Sequence, residues 1–319
     1  MMMYRFAPSI LAFFVLSTSI SLITPRASAD PTTEAAALAN TVPIADVHMH
    51  FYGNNDLTVA EQIAQMDRNN VLWGGGVGSY NTQLSQALGP RYFGTIGDRE
   101  FTKVLFRDGE KGLQNDKHPL FVEFFLRAEK MLTAGTVKGF GEIHVDNMSG
   151  GSNNSRFQRK IPLDSPVIRR MYALADQHKG FVQIHINRSD DALLDLRKLS
   201  LEFPNATTIL AHCMPRSRPE NLAAIFDEVP NVFCELSGSG VMHGIRRTST
   251  EDGLRPNWVN LIARYPDRVM VGSDPCCGLH RKYDEIIKEL RTHVLAHIPP
   301  EIIEKVAYQN AVRVFGLKP

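Results

Sequence analysis

Six side chains of the kinds that bind metal ions stand along this chain, each in or at the end of a short apolar run. They are His48, His50, Glu142, His185, His212 and Asp274. The runs that carry them are IADVHMH, VKGFGEIHV, GFVQIHIN, TTILAHCM and DRVMVGSD. Residues two apart on a strand share a face, so His48 and His50 are expected side by side. Imidazoles and carboxylates are ligands of transition-metal ions, so the sequence predicts a divalent metal site, with zinc as first choice and manganese, iron or nickel as alternatives.

Ligands spread this widely along a sequence meet at one point when parallel strands close into a barrel. In such barrels the functional side chains leave the carboxyl ends of the strands. Apolar runs alternate with helical segments here, which is typical of repeated strand–helix units. The sequence therefore predicts an α/β fold, a distorted (β/α)8 TIM-type barrel with a C-terminal helical closure. The hydrophobic content of 43% is enough for one large core, which favours a single barrel domain.

The remaining elements follow from the same patterns. Strands are predicted at 44–50, 71–79, 91–97 and 232–238, besides the runs of the later ligands. Helices are predicted at 57–70, 121–135, 164–179, 190–203, 219–228, 255–265, 283–297 and 300–315. The stretch from Asp98 to Lys117 is polar and too long for an ordinary connection, so it is predicted to be an irregular loop over the barrel mouth.

The order of the six candidate ligands resembles that of the metal-dependent amidohydrolase superfamily, in its amidohydrolase-2-like branch. The pattern of that branch is His-x-His after strand 1, a bridging Lys or Glu after strand 4, His after strands 5 and 6, and Asp after strand 8. All these positions have a match here. The run AYQNAVRVFGL is also similar to the helix that closes many of these barrels, so the resemblance spans about residues 42 to 317.

This resemblance implies one or two divalent ions. The His-x-His pair and Asp274 would hold one ion, and His185 with His212 a second. Glu142 would bridge the two ions.

The resemblance also implies a hydrolase. Water bound to such an ion has its pKa lowered toward about 7, which makes hydroxide available at neutral pH. Asp274 would act as the catalytic base that takes the proton of this water and later gives it to the leaving group. His212 is the second predicted catalytic residue, since in a single-metal relative it would polarise the hydroxide. The expected reaction is hydrolysis of an amide, ester, lactone or phosphoester bond.

Two other functions stay open at the level of the sequence. Some relatives of the amidohydrolase-2 branch are decarboxylases that release carbon dioxide from aromatic or dienoic acids with one ion. The GFGEI run around Glu142 resembles the GEIG run of metal-dependent nucleases and phosphotriesterase-like proteins, which favours the two-metal hydrolase. The third possibility is a non-catalytic secreted metal-binding protein, against which Asp274 argues.

Three residues near the ligands have alternative interpretations. Glu142 would have a purely structural role if it paired with a neighbouring Lys or Arg. His144 follows two residues later on the same face and is either a competing ligand or a substrate contact. Asp46 lies deeper on strand 1 and is predicted to be a structural or supporting group.

Arg188, Arg216 and His243 follow strands 5, 6 and 7 and are the predicted substrate-binding residues. Arginine binds carboxylate and phosphate bidentately, so the substrate is expected to be a small, anionic molecule. The alternative is that these are solvated loop charges.

The first 29 residues resemble an export signal. Arg5 precedes an apolar stretch at 10–23, and Ala27-Ser28-Ala29 are small residues of the kind found at a cleavage site. The stretch is shorter than the roughly 20 residues that a membrane-spanning helix needs. Residues 1–29 are therefore predicted to be a secretory signal peptide, 30–41 an N-terminal extension and 42–319 the barrel domain. The mature protein is expected in the periplasm or outside the cell, free of the membrane.

Charge and cysteine content add two expectations. The chain carries 35 basic and 34 acidic residues, and this near-neutral balance gives no indication of a nucleic-acid or membrane partner. A small-molecule substrate is the expected partner, and no pattern fixes the oligomeric state. Cys213 and Cys234 are predicted to be ordinary buried thiols. The adjacent Cys276 and Cys277 are either ordinary thiols, a vicinal disulfide or ligands of a soft metal.

Overall fold

The computed structural model describes residues 31–51, 57–148, 155–238 and 248–318. Its helices are α1 (Thr33–Thr41), α2 (Val59–Arg68), α3 (Thr82–Leu88), α4 (Asp98–Leu113), α5 (Pro119–Thr133), α6 (Pro166–Gln177), α7 (Asp190–Glu202), α8 (Pro219–Glu228), α9 (Pro256–Arg264), α10 (Tyr283–Glu289), α11 (Pro300–Glu304) and α12 (Asn310–Phe315). Its strands are β1 (Ile44–Asp46), β2 (Val71–Gly75), β3 (Tyr92–Phe93), β4 (Thr95–Gly97), β5 (Gly139–Asp146), β6 (Phe181–Ile186), β7 (Thr207–Leu210), β8 (Val232–Glu235), β9 (Ser249–Thr250), β10 (Gly253–Leu254) and β11 (Val269–Met270). Among these helices, none has the length and apolar character that crossing a bilayer requires.

The parallel strands follow one another around a TIM-type α/β barrel, as the sequence predicts. One sheet has the order β1-β2-β3, and the other has the order β4-β5-β6-β7-β8-β11. β3 pairs with β2 and β4 pairs with β5, so the run that Gly94 divides into two short strands joins the sheets. At the opposite edge the Val47 N–H donates to Val271 O at 3.2 Å, just beyond β1 and β11. This bond links the first and last strands of the barrel.

Asp46 fixes the two chain segments that meet at this seam. Its carboxylate accepts hydrogen bonds from Ser273 N at 2.9 Å, Ser273 Oγ at 2.5 Å and Tyr283 Oη at 2.8 Å. Burial raises the pKa of the Asp46 carboxyl, and the hydrogen bonds that it accepts oppose this rise. Because these contacts lie within the barrel seam, the predicted structural role of Asp46 agrees with its surroundings.

The amino-terminal end of the barrel is closed by the last helix. The Phe315 ring packs against Phe93 and Phe181, with ring centroids 4.6 and 4.7 Å apart. Asn310 donates from Nδ2 to Val269 O at 2.8 Å, which holds α12 against β11. The predicted C-terminal closure is therefore present, although two π-helical turns, Leu290–Val294 and Lys305–Gln309, interrupt the predicted helices.

The prediction of an irregular loop between Asp98 and Lys117 is wrong, because most of this stretch is helix α4. Phe101, Val104 and Leu105 have helical spacing and are buried against the barrel. This narrow apolar stripe is enough to fix the helix despite its polar composition. The helix is kinked at Gly109, whose φ is 65°.

The prediction of buried thiols at Cys213 and Cys234 is also wrong, because the two residues form a disulfide. Cys213 lies in the turn after β7 and Cys234 on the neighbouring strand β8, and their Cα atoms are 4.6 Å apart. This spacing lies within the range that a disulfide spans. Cys276 and Cys277 are free cysteines in the structure, so the vicinal disulfide is absent from this pair.

Candidate metal centre

His48, His50 and Asp274 come together at the carboxyl end of the seam between the first and last strands. His48 Nε2 lies 3.2 Å from His50 Nε2 and 3.6 Å from Asp274 Oδ1. His50 Nε2 lies 3.4 Å from the same oxygen. Donor atoms that share one tetrahedral ion at roughly 2.1 Å are separated by about 3.4 Å. The three side chains therefore fit one divalent ion.

Glu142 lies at the centre of the histidines. Its Oε1 is 2.8 Å from His185 Nδ1 and 3.2 Å from His212 Nε2. Its Oε2 is 3.3 Å from His48 Nε2 and 3.5 Å from His144 Nε2. All its ion-pair contacts within the described residues are to histidines, so pairing with Lys or Arg does not explain Glu142. Although burial raises the pKa of its carboxyl, the surrounding histidines hold that pKa well below its usual value.

The charge balance of this cluster favours a cation. Burial by itself lowers the pKa of His48, but the carboxylates of Glu142, Glu235 and Asp274 raise it well above its ordinary value. Buried carboxylates at such density require positive charge nearby. Protons or a metal ion can supply that charge, and metal binding displaces protons from the ligands.

His185 and His212 come from the next two strands around the barrel. His185 is on β6, and its Nδ1 donates to Glu142. Its Nε2 is buried and has no hydrogen-bond partner among the described residues, which is the state of a nitrogen with a free lone pair. Burial lowers the pKa of His185 to about 4, so its ring is neutral at physiological pH. Neutral imidazole is the form that binds metal ions.

The six predicted ligands thus lie in one cluster, although their role in metal binding stays a prediction. The groups of side chains that could share an ion differ from the expected division. His48, His50 and Asp274 form one group, and Glu142, His144 and His185 form another. His212 falls in a third group, with His48 and Glu235, although its Nε2 also lies 3.2 Å from Glu142 Oε1.

Glu235 is a site residue that sequence reasoning missed. It ends β8, is fully buried, and its Oε1 accepts hydrogen bonds from His48 Nδ1 at 2.8 Å and from His212 N at 3.0 Å. Its Oε2 accepts from Ser237 N at 2.7 Å. Since His48 Nδ1 is held by Glu235, Nε2 is the nitrogen that would bind an ion once its proton is displaced. The only signal in the sequence was an acid inside the apolar run VFCELSG.

Two glycines make this close packing feasible. A Cβ on Gly272 would lie 2.6 Å from His48 Cβ and 3.0 Å from Glu235 Oε2. Gly238 has a φ of 62°, and a Cβ there would lie 3.0 Å from His212 Nδ1. Any larger residue at position 272 would displace the backbone from His48.

Glu235→Gln is expected to weaken zinc binding about 10–100-fold, the usual effect of losing a supporting contact to a metal ligand. The carboxylate accepts from donors on both oxygens, and a glutamine amide would present N–H groups to one of them. Competition with a chromogenic chelator measures the change. Glu220→Gln, at an exposed position on α8, is the matched control. Equal zinc affinities of the two variants would show that Glu235 does not support the ligands.

Arg159 is a second residue without a sequence signal. It is 2% exposed, and its guanidinium donates to His144 O at 3.0 Å and Phe157 O at 3.2 Å. Burial lowers the pKa of Arg159, and the charges of Asp98 and Glu142 oppose this effect. Within the described residues it forms no ion pair with an acid. A buried guanidinium of this kind would be neutralised by an anion bound beside it.

The three residues predicted to bind substrate are placed differently. Arg188 forms an ion pair with Asp190 at 2.5 Å, and Arg216 is exposed in the loop after β7. No contact of either side chain with the candidate ligands is present in the described chain. His243 lies outside the described residues. Their role in substrate binding stays a prediction.

Known proteins support the same architecture. The sequence pattern of the amidohydrolase family matches residues 119–317, which is more than half of the chain. No curated protein sequence matches the chain.

Solved structures share its fold, among them these three. A probable 2-pyrone-4,6-dicarboxylic acid hydrolase from Acinetobacter baumannii, with citric acid bound, has 14% identity and a TM-score of 0.51 over 86% of this chain and 97% of that chain. A 2,6-dihydroxybenzoate decarboxylase from Rhizobium has 15% identity and a TM-score of 0.51 over 87% and 99%. An uncharacterized TIM-barrel protein from Bordetella bronchiseptica has 14% identity and a TM-score of 0.50 over 82% and 83%.

Proposed function

Because the chain belongs to the amidohydrolase family, we propose that it is a metal-dependent hydrolase that cleaves an amide, ester, lactone or phosphoester bond of a small anionic substrate. The observation that carries the proposal is the buried group of His48, His50 and Asp274, whose donor atoms have the spacing of ligands on one ion. A second group, Glu142 with its neighbouring histidines, fits a second ion. Zinc is the ion that such ligands suit best.

A divalent ion, when bound there, supplies Lewis acidity toward water and toward the carbonyl or phosphoryl group of the substrate. The proton chemistry belongs to Asp274. Its Oδ1 faces His48 and His50, while its Oδ2 is 4.0 Å from His212 Nδ1. One oxygen of the carboxylate therefore holds the ligand position, and Oδ2 takes a proton from the attacking water and delivers it to the leaving group.

His212, between Glu142 and Asp274, positions and polarises the attacking water. Its Nδ1 donates to Ser237 O at 3.1 Å, so Nε2, 3.2 Å from Glu142, is the nitrogen that would face an ion. The ring is therefore fixed both in orientation and in tautomer. A fixed ring at this place orients the water and the bond to be cleaved.

Arg159 supports an anionic substrate. Its buried guanidinium lies beside His144, at the edge of the cluster, and a substrate carboxylate or phosphate would supply the negative charge that Arg159 lacks. The buried guanidinium also supports a second candidate function, the decarboxylation of an aromatic or dienoic acid, because that substrate also carries a carboxylate.

Export to an oxidising compartment is part of the proposal. The Cys213–Cys234 disulfide supports it, since such bonds persist in secreted and periplasmic proteins and are rare in cytosolic ones. The predicted signal at 1–29 lies outside the described residues.

The proposed function is tested by stripping the purified chain with a chelator and reloading it with zinc or manganese. The assay panel contains lactones, acyl amides, phosphoesters and carboxylated aromatics, in pairs with and without a carboxylate. We expect hydrolysis that disappears on chelation, returns with the ion and favours the substrate with the carboxylate. Release of carbon dioxide would overturn the hydrolase proposal and support the decarboxylase. Hydrolysis that survives complete metal removal would overturn the metal-dependent function.

A further inference from the structure

The Cys213–Cys234 disulfide lies directly beside two residues of the candidate metal centre. Cys213 follows His212 in the short turn after β7, and Cys234 precedes Glu235 on β8. Both cysteines are buried, and Leu210 lies opposite Cys234 in the parallel pairing of the two strands. The bond therefore ties the carboxyl end of β8 to the turn that carries His212.

This turn has a backbone conformation that residues with a side chain rarely adopt. The φ angles of His212, Cys213 and Met214 are 54°, 47° and 58°. All three lie in the left-handed region, where the Cβ is close to the backbone. Such residues persist only where the surrounding structure holds them in place. The turn needs anchors, and the disulfide is a covalent one.

Besides the Glu142 contact of its ring, His212 has two anchors from the segment that begins with Cys234. Glu235 Oε1 accepts from His212 N at 3.0 Å, and Ser237 O accepts from His212 Nδ1 at 3.1 Å. A shift of this segment relative to the turn would break both hydrogen bonds. It would also move Glu235 away from His48 Nδ1, 2.8 Å distant, so that two candidate ligands would lose their orientation.

We propose that the Cys213–Cys234 disulfide is a positioning element of the metal centre and that its reduction weakens metal binding. This inference rests on the proposed function, because it requires the histidines to bind an ion. A dithiol reduces the bond in a two-electron exchange: the S–S bond breaks, each cysteine sulfur gains a hydrogen, and the dithiol becomes a cyclic disulfide. The turn and the end of β8 are then free to move apart.

The direct test compares a double variant, which carries both Cys213→Ala and Cys234→Ala, with the single variant Val232→Ala. Val232 is fully buried at the start of β8, so its truncation also removes core contacts, but at the end of the strand remote from the metal centre. The readouts are zinc affinity by chelator competition and the thermal midpoint of the metal-free protein. We expect about 10–100-fold weaker zinc binding for the double variant. Val232→Ala is expected to lower the thermal midpoint with little change in zinc affinity.

A second arm uses the wild-type chain. Thiol titration should find the two free cysteines, Cys276 and Cys277, before reduction and all four cysteines after it. After reduction by a dithiol that is then removed, so that it cannot itself bind zinc, the wild type should bind zinc as weakly as the double variant, while the double variant should not respond. If the double variant does not fold, the oxidised and reduced forms of the wild type are compared instead. An unchanged far-UV circular dichroism spectrum then shows that the reduced protein is still folded.

Unchanged zinc affinity of the folded double variant, or of the fully reduced wild type, would overturn the positioning role. Four free thiols in the native chain would overturn it as well. Both results leave the hydrolase proposal in place, as long as activity still depends on the ion. Activity without any metal would instead overturn the proposed function itself.

Discussion

Asp274→Asn is expected to lower turnover at least ~100-fold, the usual effect of losing a general base, while a measurable share of the metal is retained. Asparagine keeps the size of the side chain and one oxygen that faces His48 and His50, but its amide cannot take a proton from water. Turnover on a substrate from the panel and zinc content by elemental analysis are measured on the same preparation. The two readouts separate proton transfer from metal binding.

Asp227→Asn is the matched control for this variant. Asp227 is an exposed residue of α8 that forms an ion pair with Arg264 at 2.9 Å, remote from the metal centre. It is expected to leave turnover and metal content unchanged. Full activity of Asp274→Asn would exclude Asp274 as the base, even if zinc content were normal.

His48→Ala is expected to remove most of the bound zinc and with it the activity. The substitution deletes one ligand nitrogen, and it also removes the partner of two buried carboxylates, Glu142 and Glu235. Leaving a buried polar group without its partner costs about 1–3 kcal/mol, so the metal-free variant should also unfold at a lower temperature. Zinc content and thermal midpoints with and without zinc test both effects.

His178→Ala provides the control for the loss of an imidazole. His178 lies in the turn between α6 and β6, at the amino-terminal end of the barrel. Its removal should leave the zinc content at the wild-type value. A His48→Ala protein that still binds a full complement of zinc would show that His48 is not a ligand.

The strands and the convergence of the ligands were predictable because both follow from local patterns. An apolar run with a polar residue at its end marks the carboxyl end of a buried strand, and parallel strands bring those ends to one face. The order of the ligands along the chain therefore implies their proximity. The exact ends of the strands were not predictable. β1 ends at Asp46, because the residues from there to His50 form single backbone hydrogen bonds with neighbouring segments and not a continuous strand pairing.

Glu235 and Arg159 could not be identified in this way. The role of Glu235 depends on His48, a partner from the opposite end of the sequence, and no local pattern encodes that contact. Arg159 comes from a stretch without strand or helix periodicity, and its burial depends on how that stretch folds over β5. Both residues acquire their importance from tertiary contacts.

Two wrong predictions had a different origin, because they concern segments whose sequence does contain relevant residues. In α4 the apolar residues Phe101, Val104 and Leu105 have helical spacing, but the polar majority and Gly109 hid it. Cys213 lies in the turn after β7, and Cys234 lies on the neighbouring strand β8. Their relative register decides whether a disulfide forms, and the register appears only once the sheet is assembled.

The seam between the first and last strands has a consequence for how this protein is synthesised. The bond from Val47 to Val271 cannot form until β11 has left the ribosome, and Phe315, which closes the barrel floor, emerges later still. At a synthesis rate of ~5–20 residues per second, β11 leaves the ribosome on the order of ten seconds or more after β1. During that time the growing sheet exposes open strand edges, which are prone to pair with other chains. The nascent chain therefore exposes aggregation-prone strand edges until its last strand has been synthesised.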